Sequence, residues 1–125
     1  MRKQYHFRPS AKGFYAWDVD RLVSLTSEHK PQKVRLNEIA EIDEAFWFGG
    51  PGDIATCRLI AEHAQLIAKA DLSYPIIMCS NRRIMDGMHR VLKALNAGSE
   101  TIDAVIFEED PEPDYVDVLP DELPY

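Results

Sequence analysis

The sequence predicts a small α/β (α+β) domain, a mixed sheet with flanking helices, on three observations. Residues 53–70 carry a helix-period pattern 18 positions long. Tyr74-Pro75-Ile76-Ile77-Met78-Cys79 is an unbroken apolar run of strand length. Asp86-Gly87 then opens a second helical pattern that Gly98 closes, and an alternating stretch follows from Ile102 to Phe107. Strand, helix, strand in that order is the signature of a mixed or parallel sheet with a helical crossover.

Taken in order, residues 1–13 are polar and are expected to fray. Asp18 is placed to cap a short helix carrying Val19, Leu22, Val23 and Leu25 that ends before Pro31. Lys33-Val34-Arg35-Leu36 reads as a strand, and Asn37 as the cap of a brief helix over 38–42. Phe46-Trp47-Phe48 shows a strand-like alternation, one face in and one out, before the breaker Gly49-Gly50-Pro51-Gly52. For the helix 53–70, capped by Asp53, the polar residues Arg58, Glu62, Gln65 and Lys69 fall on one narrow arc. An apolar arc that wide predicts a helix wedged between other elements. Pro75 suits the first position of a central strand, Ser80 to Arg83 a turn, and Ile84-Met85 the returning strand of a hairpin. The helix after Asp86-Gly87 has Met88, Val91, Leu92 and Leu95 as its core stripe.

A chain of 125 residues, 46% hydrophobic and 28% charged, suits one domain with a real core. No leader pattern and no membrane span is read from it, and Cys57 and Cys79 form no Cys-x-x-Cys pair, which together suggest a cytoplasmic protein. The net charge of −7 is unevenly spread: residues 108–125 hold eight acids and no Lys or Arg. Without them 14 basic residues face 13 acidic ones, since 21 minus 8 is 13. The division expected is therefore a domain over 1–107 and an acidic tail over 108–125. Neither part has the basic stripe of a nucleic-acid binder. The tail reads most simply as a solubilising segment, yet its interspersed Tyr115, Val116, Val118, Leu119, Leu123 and Tyr125 suit docking on the body, on a protein partner or in a homodimer.

The chemistry concentrates at Asp86-Gly87-Met88-His89-Arg90. The first N–H groups of a helix lack intrahelical acceptors, and the helix dipole places partial positive charge there. Gly87 removes the Cβ that would hold a ligand away from the backbone. His89 adds a donor and Arg90 a forked cation matched to phosphate oxygens. These features point to one anion, a phosphate. The plain reading is an ordinary capped helix with Asp86 as cap and His89 and Arg90 exposed. His63, on the apolar arc of the long helix, is either a core histidine bonded to Thr56 or a backbone carbonyl, or a wall of the phosphate pocket.

The Asp-Gly-Met-His-Arg run between a hairpin and a helix resembles the Asp-Gly-x-His-Arg signature of the ParB/sulfiredoxin superfamily, whose members include ParB N-terminal domains, sulfiredoxins and an ADP-dependent free-serine kinase. The resemblance covers roughly residues 72–107 and, loosely, 34–39. It implies a ParB/sulfiredoxin-like fold and a nucleotide (ADP, ATP or CTP, with Mg²⁺ carried largely by the phosphates) bound through Asp86, Gly87, Met88, His89 and Arg90, with His63 beside them. The sequence departs from sulfiredoxins in having Met88 where they carry the catalytic Cys, and no helix-turn-helix segment follows as it does in ParB proteins. Both the peroxiredoxin-repair and the DNA-partitioning readings are thereby disfavoured. In the serine kinase a carboxylate near the first strand acts in catalysis; by position Glu38 or Glu41 corresponds, and Glu41 is the better candidate for a general base, against the plain reading of a solvated helix face. With His89 as the second catalytic candidate, the expectation is a phosphotransferase or NTPase acting on a small molecule. The alternative is a non-catalytic regulatory module, and a DNA-binding or nuclease function ranks last. Asp86 reads as a cap, a carboxylate close to Mg²⁺, or both. The clusters Phe14-Tyr15-Trp17 and Phe46-Trp47-Phe48 are core aromatics or platforms for a base.

Overall fold

The computed structural model describes residues 3–125. Among them the chain builds an α+β fold with two sheets. Strands β1 (Tyr5–Pro9), β2 (Phe14–Asp18) and β7 (Tyr115–Val118) form an antiparallel three-stranded sheet in the order β1-β2-β7. Strands β3 (Gln32–Arg35), β4 (Ile76–Met78), β5 (Ile84–Asp86) and β6 (Thr101–Ile106) form a mixed sheet in the order β3-β6-β4-β5. Its one parallel pair, β4 with β6, is joined through β5 and helix α3 (Met88–Asn96). Helices α1 (Val19–Thr26) and α2 (Cys57–Lys69) complete the regular structure.

The apolar run at 76–79 is continuous because the mixed sheet is buried on both faces. Ile76 and Met78 join Val34, Met88, Val91 and Ala104 in the larger core, while Ile77 and Cys79 join Trp17, Leu22, Met85 and Phe107 in a second. Alternate side chains of one strand thus serve two cores.

Helix α1 starts where the sequence places it, with the Asp18 carboxylate accepting from Asp20 N. Gly98 follows α3 with φ 75, and the amides of Gly98 and Ser99 bond back to the carbonyls of Leu95 and Ala94. The hairpin β4–β5 forms as expected.

Several expectations are corrected. Tyr5–Pro9 is an ordered strand where fraying was expected (Met1 and Arg2 lie outside the described residues), because its backbone pairs along all of β2. Residues 36–43 form two 3₁₀ turns without a side-chain cap where an Asn37-capped helix was expected. Phe46-Trp47-Phe48 lies in a turn where a strand alternation was read. Helix α2 begins at Cys57, capped by the Thr56 hydroxyl on Leu59 N, while Asp53 closes the preceding loop by accepting from Gly50 N. It is also not wedged: none of its residues is buried, and Ile60 remains 54% exposed. Periodicity reports which side chains are apolar, and Ala61, Ala64 and Ala68 widen the arc without requiring a neighbour. On α3, Ala94 is buried in place of Leu95, which is exposed.

The acidic segment lies against the body. Strand β7 extends the first sheet, the Trp17 indole donates to Pro111 O at 2.8 Å, and Asp114 accepts from Asp18 N and Arg21.

Candidate functional site

The hairpin delivers β5 to Asp86, and Gly87 turns the chain into α3 with φ 109 and ψ 21. A Cβ at Gly87 would sit 2.7 Å from Ile76 Cγ2 and 3.0 Å from Arg90 Nη2, so glycine is required both by conformation and by space. Gly87 is the N-cap residue, and among the described residues no side chain caps the helix. Asp86 is therefore not the cap. The first intrahelical bond is donated by Val91 to Gly87 O, so the amides of Met88, His89 and Arg90 precede the internal ladder. Two clefts meet at this turn. One, of about 370 Å³, is walled by His6, Phe46, Trp47, Gly87 and His89; the other, of about 310 Å³, by Leu66, Lys69, Asp71, Gly87 and His89. A further cleft, of about 630 Å³, lies elsewhere, between Arg35, Asn37, Leu95 and Glu100.

Arg90 is committed within the protein. Its Nη2 donates to Asp86 Oδ2 at 2.8 Å, and its Nη1 to the carbonyls of Pro75 at 2.8 Å and Tyr74 at 3.1 Å. The side chain is only 16% exposed, its charge is offset by Asp86, and it ties α3 to the start of β4. The fork expected to face phosphate instead holds the turn in shape.

His89 has a partner the sequence did not specify. Its Nε2 lies 2.9 Å from His63 Nδ1, bringing a residue of α2 against one of α3. The indole of Trp47 lies over both imidazoles, with centroids 3.9 Å from His63 and 4.5 Å from His89. Burial lowers the pKa of His63 against the opposing effect of Glu62. Burial, reinforced by His63, lowers that of His89 against Asp86. Both imidazoles are thus held toward their neutral forms. Of the two readings of His63, the described residues give neither a Thr56 bond nor a carbonyl partner; it backs His89 from behind and lines neither cleft at the turn.

Glu41 takes a different place from both readings offered for it. It is 1% exposed, its Oε2 accepts from Ile84 N at 2.6 Å, and Arg83 Nε stands 3.4 Å away. A carboxylate sealed in the core is neither a solvated helix face nor a base that a substrate can reach. It anchors the first amide of β5, beside a shift in the β4–β5 register, and so positions the strand that carries Asp86. Arg83 forms its two-pronged ion pair with Glu44, at 2.6 and 2.8 Å.

Trp47 is the component that sequence reasoning named only as a general aromatic. The i,i+4 spacing of Asp86 and Arg90 was the available signal for their pairing. Among the described residues, no group of three or more His, Cys, Asp or Glu is placed to hold a metal, and no helix is long and apolar enough to cross a membrane. Cys57 and Cys79 are free thiols. No family model, no curated protein and no solved structure matches this chain.

Proposed function

We propose that the chain binds a phosphate-bearing small molecule, a nucleotide with Mg²⁺ on its phosphates, at the start of α3. The observation that carries this reading is the uncapped N-terminus of α3 behind Gly87, opening on two clefts with His89 on the wall of both. The amides of Met88 and His89 and the His89 ring are the phosphate-facing groups in this reading, and Asp86 and Arg90 hold their geometry. The Asp-Gly-Met-His-Arg resemblance supports the same ligand class. The exposed free thiol of Cys57 suits a reducing, cytoplasmic setting.

A second reading, binding without turnover, draws on the state of the two carboxylates considered for catalysis. Glu41 is sealed from solvent and Asp86 is paired with Arg90, which leaves His89 as the proton-accepting group for phosphoryl transfer or hydrolysis.

Thermal unfolding in the presence of ADP, ATP, CTP or GTP with Mg²⁺ tests the binding. A ligand specific to the folded state adds about 2.7 kcal/mol at 100 times its Kd. One nucleotide is expected to stabilise the wild type and to lose that effect in His89→Ala. An absence of stabilisation by all four at millimolar concentration contradicts nucleotide binding. Release of inorganic phosphate over hours then separates an enzyme from a binding module.

A further inference from the structure

We infer that His63 and His89 form a single proton-accepting unit of the anion site, so that a phosphoryl-type dianion enters together with one proton. The inference rests on the phosphate-binding reading and adds to it the charge state of ligand and site.

Two imidazole nitrogens 2.9 Å apart accommodate one hydrogen between them. A neutral pair carries two N–H groups, one in the bridge and one on an outer nitrogen. A proton taken from solvent completes the second outer N–H and yields an imidazole–imidazolium cation with the bridge intact. A further proton would set N–H against N–H and break the contact. The pair therefore accepts one proton readily and resists the next. In the singly charged form the outer nitrogen of His89, Nδ1, is a donor whichever ring supplied the bridging hydrogen. Trp47, stacked over both rings, favours a delocalised cation on its face.

The surrounding charges make this pair the adjustable element. On α2, Glu62 favours protonation of His63, and at the end of β5, Asp86 favours that of His89. Arg90, on α3, is spent on Asp86. Lys69 and Asp71 stand on the wall of one cleft, Tyr5 and His6 on that of the other. Phe46, Trp47 and Phe48, in the turn packed on the pair, carry no titrating group. A bound dianion is the added charge that draws a proton onto rings which burial otherwise keeps neutral.

Sulfate is the cleanest probe, because it remains a dianion throughout roughly pH 5.5 to 8 and any proton taken up must go to the protein. The titration follows the amides of Met88, His89 and Arg90 and the imidazole resonances by NMR, with ADP titrated in parallel. The expected result is a sulfate Kd that rises toward tenfold per pH unit above neutrality, with the two imidazoles together taking up one proton on binding, so that their resonances move part of the way to the cationic position. The double variant His63→Gln/His89→Gln is expected to flatten that profile. Saturable binding with a flat wild-type profile, or an unchanged slope in the double variant, overturns the proton coupling and leaves the anion site standing. No response of these amides to sulfate or ADP at any pH overturns both.

Discussion

His6 shows how a single side chain imposes a pH dependence on the fold. It is partly buried on β1 against Trp17, with ring centroids 5.6 Å apart, and its buried Nε2 has no hydrogen-bond partner among the described residues. Burial, helped by Arg8, lowers its pKa from 6.5 to about 4. A group whose folded pKa is depressed contributes stability that is full above its unfolded pKa and is lost as pH falls through the window between the two. At about 1.4 kcal/mol per unit this amounts to roughly 3 kcal/mol, lost between pH 6.5 and 4. Denaturant unfolding at pH 7 and pH 4 is expected to show that loss in the wild type and a loss smaller by about that amount in His6→Phe. Arg90 makes a different kind of prediction, because its bonds to Asp86 and to two carbonyls use the planar fork. Arg90→Ala is expected to cost roughly 2–4 kcal/mol, and Arg90→Lys to recover little of it, since one ammonium cannot span those acceptors. Recovery to near wild-type unfolding midpoints in Arg90→Lys would contradict the clamp.

Among the three α-helices of the described residues, α2 is the one with no buried residue. Its anchors are the His63–His89 contact, the Trp47 stack and Lys93, whose Nζ caps the carbonyls of Ala68 and Ala70 at 2.9 and 2.7 Å. A helix of 13 residues is marginal without packing, so α2 is expected to open below the global unfolding free energy. Amide exchange should be faster along Leu59–Lys69 than in β4 and β6. Lys93→Met should speed α2 further, by about three- to tenfold, while leaving the strands unchanged; equal acceleration of α2 and β4 would show that α2 belongs to the cooperative core. The same helix marks where the sequence was legible. The β4–turn–β5–Gly87–α3 unit could be read closely because local chemistry dictates it: a buried run, a turn, a glycine forced to positive φ and a glycine at the C-terminal cap. The surroundings of α2 could not, because burial depends on what packs opposite. Strand β2 escaped notice for a related reason: its aromatic residues signal a core without fixing a strand, and its partners β1 and β7 lie at the two ends of the chain. At the site, the Asp86–Arg90 turn was visible in five consecutive residues. The His63–His89–Trp47 stack joins three segments that only the tertiary fold brings together.

On the scale of the whole molecule, the chain closes its first sheet with its last strand. Residues 108–125 satisfy the Trp17 indole through Pro111, bond Ser80 N through Asp110, meet Asp18 N and Arg21 through Asp114, and pair β7 with β2. Tyr5 OH also bonds to Pro124 O, so the described residues close to both ends meet. The acids of this segment are thereby distributed over the protein's own surface, where Arg8 and Arg21 neutralise part of their charge. Truncation after Phe107 is expected to cost roughly 3 kcal/mol or more, at about 1 kcal/mol per hydrogen bond lost, and to expose the β2 edge to association. A truncated chain with the oligomeric state and unfolding midpoint of the intact chain would contradict the integrated role of β7. The fold so closed presents the uncapped turn of α3 between two clefts, and anion binding there is the central claim. The most direct measurement of it is a site-resolved amide titration of the intact chain with ADP and Mg²⁺. Saturable shifts centred on Gly87, Met88 and His89 are the predicted result. Shifts centred instead on Arg35–Asn37 and Ser99–Thr101, around the cleft of about 630 Å³, or no saturable shift at all, would contradict it.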